Sequence, residues 1–145
     1  MGIAYRAVPS VGCTFDVWDG EVTADQIRWY LIRLADDRNW PAGHAHLTDL
    51  TTVATASVPD PVVLDALYEG TGLADDLNVA VLVPAGVPTD VSLKYTTLTE
   101  ELAARPFTEL GPACVYLEID EAGARVILDE LRRRLHGPAS RDSVD

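Results

Sequence analysis

The residues best suited to chemistry crowd between positions 44 and 57. His44 and His46 are two apart, so on an extended chain both imidazoles leave the same face, a spacing that can hold one metal ion. Asp49 is the nearest further ligand type, but its odd offset from His46 turns it to the opposite face. A metal centre needs a third ligand and partners that orient the imidazoles. The expectation is therefore no metal and no cofactor, with His44 and His46 as the pair that would hold one. Downstream, Thr51, Thr52, Thr55 and Ser57 offer hydroxyls ahead of Asp60-Pro61, a helix start in which aspartate caps and proline sits where its missing donor costs nothing. Open α/β folds keep functional groups between the carboxyl end of a parallel strand and the next helix; the plainer role of such hydroxyls is capping and turn formation. Nucleophiles exist as Cys13, Cys114, Ser57 and several threonines, yet none has in nearby sequence a histidine held by an orienting acid. No catalytic residue is assigned.

The elements that must position these side chains follow from patterning. Leu77 to Pro84 reads Leu-Asn-Val-Ala-Val-Leu-Val-Pro, an apolar run that belongs in a strand buried on both faces and paired in parallel, between helices. Ile3 to Val8 and Cys13 to Trp18, joined by Pro9-Ser10-Val11-Gly12, form an antiparallel hairpin, the second strand having one apolar and one mixed face and standing near one side of the sheet. Asp19-Gly20 is read as a turn. Thr23 and Gln26 then make a capping box, with Val22 and Ile27 as its hydrophobic staple, for a helix over Ala24 to Ala35 that buries Ile27, Tyr30, Leu31 and Leu34. Trp29 lies off that stripe, one turn before Arg33, and is placed to stack on its guanidinium.

A strand is expected over Ala45 to Val53. The helix after Asp60 carries Val63, Leu64, Leu67 and Tyr68 on its apolar side, and the helix after Asp90 carries Val91, Tyr95, Leu98 and Leu102, with Lys94 beside them. Arg105 to Thr108 is a short edge strand, where a proline is tolerable. A helix through Pro112 buries Leu110, Ala113, Cys114 and Leu117. A last one, capped by Asp120, turns Ala124, Ile127, Leu128, Leu131 and Leu135 inward and ends on Arg132, Arg133 and Arg134, which answer its dipole.

Of the 145 residues, 48% are hydrophobic, ample for one core, and the formal charge is -12. Residues 1 to 136 are read as a single domain and 137 to 145 as a polar, disordered tail. The acidic balance repels phosphate backbones and anionic headgroups, so neither nucleic acid nor membrane is an expected partner. With no apolar run long enough to cross a bilayer and no basic-then-apolar start, the cytoplasm is the expected location. Cys13 and Cys114, in core positions of a strand and a helix, are expected as free thiols.

The order of elements, with Asp19-Gly20-Glu21-Val22-Thr23, Leu47-Thr48-Asp49-Leu50, Asn78-Val79-Ala80-Val81-Leu82-Val83, Arg105-Pro106-Phe107 and Ala113 to Leu117, resembles the SpoIIAA-like group that bridges STAS domains and the CRAL-TRIO lipid-binding domains. The resemblance covers about residues 3 to 118. It implies an α/β fold: a mixed, mostly parallel sheet of four to five strands, an N-terminal antiparallel hairpin and four to five helices. In one branch of that group, a serine preceded by aspartate at the start of the second helix is phosphorylated; here the region reads Thr55-Ala56-Ser57-Val58-Pro59, without the Asp-Ser pair. Lys94 stands where many members carry an arginine, keeping the charge but losing the forked donor geometry.

The favoured reading is a non-catalytic regulatory or protein-interaction module, with Asp49, Thr51, Thr55, Ser57, Tyr68, Lys94 and Tyr95 as its ligand or partner region. A carrier of a small apolar ligand, lined by Tyr68, Tyr95 and Leu98, is the alternative that the CRAL-TRIO kinship implies, and a hydrolase-type enzyme built around His44, His46 and Asp49 is the third. Self-association is also expected, because the first hairpin or the last short strand leaves an open edge.

Overall fold

The structure, a computed structural model, describes residues 2–37, 45–56, 78–84 and 105–136. Within them five strands, β1 (Ile3–Val8), β2 (Cys13–Val22), β3 (Ala45–Ala56), β4 (Val79–Leu82) and β5 (Arg105–Phe107), form one sheet in the order β1-β2-β3-β4-β5. β1 and β2 are the antiparallel hairpin, and every other neighbouring pair is parallel. Three helices, α1 (Ala24–Ala35), α2 (Leu110–Leu117) and α3 (Glu121–His136), complete the described fold. The two central helices expected from the sequence, and with them Tyr68, Lys94 and Tyr95, lie outside the described residues, as do His44, Ser57 and the tail from 137. No described helix is long and apolar enough to cross a membrane.

α1 forms where the local signals placed it. The Thr23 hydroxyl accepts from the Gln26 amide at 3.2 Å, while the Gln26 side chain accepts from the Thr23 amide at 2.8 Å. Val22 and Ile27 are both buried in the cluster that α1 makes on the sheet with Trp18, Tyr30, Leu31, Leu34, Leu50, Val79 and Val81. The opposite sheet face carries Phe15, Val17, Leu47, Ala80 and Leu82 under α2 and α3, which contribute Ala113, Cys114, Leu117, Ala124, Leu128 and Leu131. All four residues of β4 are buried, odd positions under one cover and even positions under the other, as an unbroken valine-rich run requires.

One expectation is corrected. Asp19-Gly20 does not turn the chain: β2 runs on to Val22 and stays paired with β3, from Asp19↔Thr52 to Val22↔Ala56, across register shifts at Val17/Asp19 and Gly20/Glu21. Gly20, at φ +63, absorbs the irregularity in a conformation that a side chain resists, so a dipeptide that favours turns makes a bulge once a parallel neighbour holds the strand. β2 does have one apolar and one mixed face and stands second from the edge, between β1 and β3; its mixed face is covered, with Thr14 and Asp16 fully buried.

Candidate functional site

Parallel pairing in the register Thr14↔His46 and Asp16↔Thr48 sets the alternate residues of β2 and β3 side by side on the face that α1 covers. Asp16 therefore meets His46, Thr48 and Trp18 in the interior. Its Oδ2 accepts from the Trp18 indole N–H at 2.6 Å, and its Oδ1 accepts from the Thr48 hydroxyl at 2.8 Å and from His46 Nε2. α1 contributes Tyr30, whose hydroxyl is 3.3 Å from the same nitrogen and whose ring meets Trp18 and Tyr5 edge-on. Asp16 is 0% and His46 3% exposed. A buried acid in this setting is tolerable only because three donors converge on it.

A histidine held by an aspartate is the orienting half of a nucleophilic relay, which needs the nucleophile on the other ring nitrogen. Tyr30 instead shares Nε2 with the carboxylate, so these groups do not make that relay. The cysteines do not supply a nucleophile either. Both are free and buried in the opposite core layer, Cys13 on the sheet and Cys114 on α2 over it, and burial, reinforced at Cys13 by the nearby Asp16 charge, pushes both thiols above their ordinary pKa, away from the reactive thiolate.

The second constellation joins β3 to α3. Asp49 faces away from His46, as its odd offset requires. One carboxylate oxygen accepts from the Thr51 amide at 2.9 Å and the Thr51 hydroxyl at 2.6 Å, and the other is bound by the Arg132 guanidinium. Arg132 thus does more than answer its helix dipole: it crosses from α3 to the sheet and neutralises an acid that is 4% exposed. Among the sequence candidates, Asp49 and Thr51 are brought together, His46 is drawn into the Asp16 network on the other face, and Thr55 is placed in β3 opposite Glu21. No three ligand-type side chains among the described residues gather as a metal centre would need.

Asp16, Trp18, Thr48, Tyr30 and Arg132 are the site residues that sequence reasoning missed. One signal was available: an acid in the middle of the apolar stretch Cys13 to Trp18 must find donors if that strand is interior. Trp29 was placed correctly, with the Arg33 guanidinium 4.6 Å from its ring centroid.

A smaller polar device ties β1 to the end of α1. The Tyr5 hydroxyl donates to Asp37 at 2.9 Å, and burial, this hydrogen bond and the Asp37 charge together push the phenol up to about 12 from 10.0. The folded state thus holds the proton more tightly than the unfolded chain, so the contribution is complete below pH 10 and is lost as pH rises through about 12. Tyr5→Phe is expected to flatten the alkaline fall in stability over that window, as read by urea midpoints at successive pH values; an unchanged slope would remove Tyr5 as its source.

Set against protein-family models, curated proteins and solved structures, the chain finds no match in any of the three.

Proposed function

We propose that this domain is a non-catalytic regulatory or protein-interaction module of the SpoIIAA-like type. The observation that carries the reading is how the polar groups are spent. The two constellations described among these residues, Asp16 with His46, Trp18 and Thr48, and Asp49 with Thr51 and Arg132, have their acids buried and consumed by internal donors. Strand order supports the same reading. β2 to β5 are parallel and sequential, so the described sheet has no reversal of order of the kind that opens a ligand crevice in doubly wound folds.

What faces outward is of a different kind. Along the exposed side of α1, Trp29 and Ile32 are 49% and 51% exposed, one turn apart and beside Arg33. Tryptophan and arginine are the residue types that most often carry binding energy at protein interfaces. The test compares wild type with Trp29→Ser/Ile32→Ser in capture from lysate of the source cells, alongside an esterase and phosphatase screen. A partner held by wild type and released by the double variant is the expected result. Turnover that disappears in Asp49→Asn would replace this reading with an enzymatic one.

A further inference from the structure

The two edges of the sheet are built differently. β5 is three residues long and carries Pro106, the short, proline-bearing form that blocks strand addition. β1 is six residues long with no proline, lysine or bulge. Its one charged residue, Arg6, is drawn onto the α3 face by Glu130 at 3.2 Å and does not guard the edge.

The Gly2 carbonyl accepts from the Asp19 amide, so by the two-residue repeat of an antiparallel ladder Ala4, Arg6 and Val8 bond to β2, while Ile3, Tyr5 and Ala7 turn their N–H and C=O groups outward. No described strand pairs with them.

We propose that the β1 edge is a homodimer interface, in which β1 of a second copy pairs antiparallel about a two-fold axis at Tyr5 and joins two sheets into one. The inference rests on the reading of the domain as an interaction module and names one partner, the chain itself. What selects a second copy is the self-complementary order of the six residues. About that axis Ile3 of one copy faces Ala7 of the other, Arg6 faces Ala4, and Tyr5 faces Tyr5, so each larger side chain but the central one meets a small one and no like charges stand directly opposite. The register satisfies the outward groups of Ile3, Tyr5 and Ala7 in both copies, with about six new hydrogen bonds. A net charge of -12 on each copy opposes the encounter, so the dimer tightens as salt rises.

The experiment is sedimentation equilibrium of the full chain from about 1 to about 100 μM, at about 0.05 M and about 0.5 M salt, for wild type, Ala7→Pro and Ala7→Glu, with hydrogen exchange resolved by residue. Proline at 7 removes only an outward N–H and sets its ring where the partner strand would lie, and glutamate sets a charge against the partner's Ile3. Wild type is expected to dimerise more tightly at high salt and to protect the Ile3, Tyr5 and Ala7 amides only as a dimer. Each variant that keeps the wild-type circular dichroism is expected to weaken association at least tenfold. A wild type that stays monomeric throughout, or a dimer retained by both folded variants, overturns the proposal. So does a monomeric wild type that captures another protein through this edge, which would leave the interaction reading intact and replace only the partner; loss of partner capture in Trp29→Ser/Ile32→Ser reports on that reading separately.

Discussion

Asp16→Ala is expected to cost about 3–5 kcal/mol of folding stability, because it removes the buried acceptor that the Trp18 indole, the Thr48 hydroxyl and His46 share. Against a total of about 5–15 kcal/mol for an ordinary domain, that is a large share. With a urea slope of about 2 kcal/mol/M, the midpoint falls by about 2 M. Asp16→Asn keeps the volume and one acceptor oxygen but points an amide at other donors, so its loss lies between those of alanine and wild type. The network character shows in a double-mutant cycle. Once Asp16 is gone, His46→Ala removes a group that has already lost its principal partner, and the combined cost should fall short of the sum by about 1–3 kcal/mol. Strict additivity would mean that the two side chains do not act as a unit.

Arg132→Met is expected to be the other severe substitution, at about 3 kcal/mol, since it strands the Asp49 carboxylate inside the molecule with only Thr51 to answer it. Methionine preserves much of the arginine stem, which separates loss of charge from loss of packing. The telling comparison is Asp49→Leu/Arg132→Met. Replacing both partners by apolar groups of similar size removes the need for compensation, so the double variant should recover most of the stability that the single arginine substitution loses. Urea unfolding of the three proteins checks this, and a double variant no more stable than Arg132→Met would show that the pair is not what ties α3 to β3.

Both sites were beyond reach of local pattern for the same reason. Asp16 and His46 are 30 residues apart, and Asp49 and Arg132 are 83 apart. Periodicity assigns a residue to a face but carries no record of which strand lies beside it. His46 could be assigned to the face opposite Asp49 from its offset alone, yet only the parallel register Thr14↔His46 and Asp16↔Thr48 brings it to an acid. The three arginines at the end of α3 look alike in sequence. One of them finds a buried carboxylate because of where the helix crosses the sheet.

Local chemistry, by contrast, was legible where it acts over a few residues. The capping box and staple set the start of α1, and its apolar spacing chose Ile27, Tyr30, Leu31 and Leu34 for the interior. The valine-rich run declared β4 a strand covered on both sides, because no amphipathic element can be built from it. Where a local signal and a long-range partner conflicted, at Asp19-Gly20, the partner prevailed: pairing along the edge of β3 outweighs the turn preference of two residues, and glycine makes the compromise cheap.

By itself, then, the amino-acid order determined the kinds of element, the faces they bury and the mixed, mostly parallel character of the sheet, because propensity, capping and periodicity act within a turn or a strand. The tertiary structure alone decided which polar side chains meet, that β2 lies inside the sheet while β1 stays at its edge, and that both acids are held by donors from distant segments. Those outcomes depend on strand neighbours and helix crossings, which are set by closing the whole core at once.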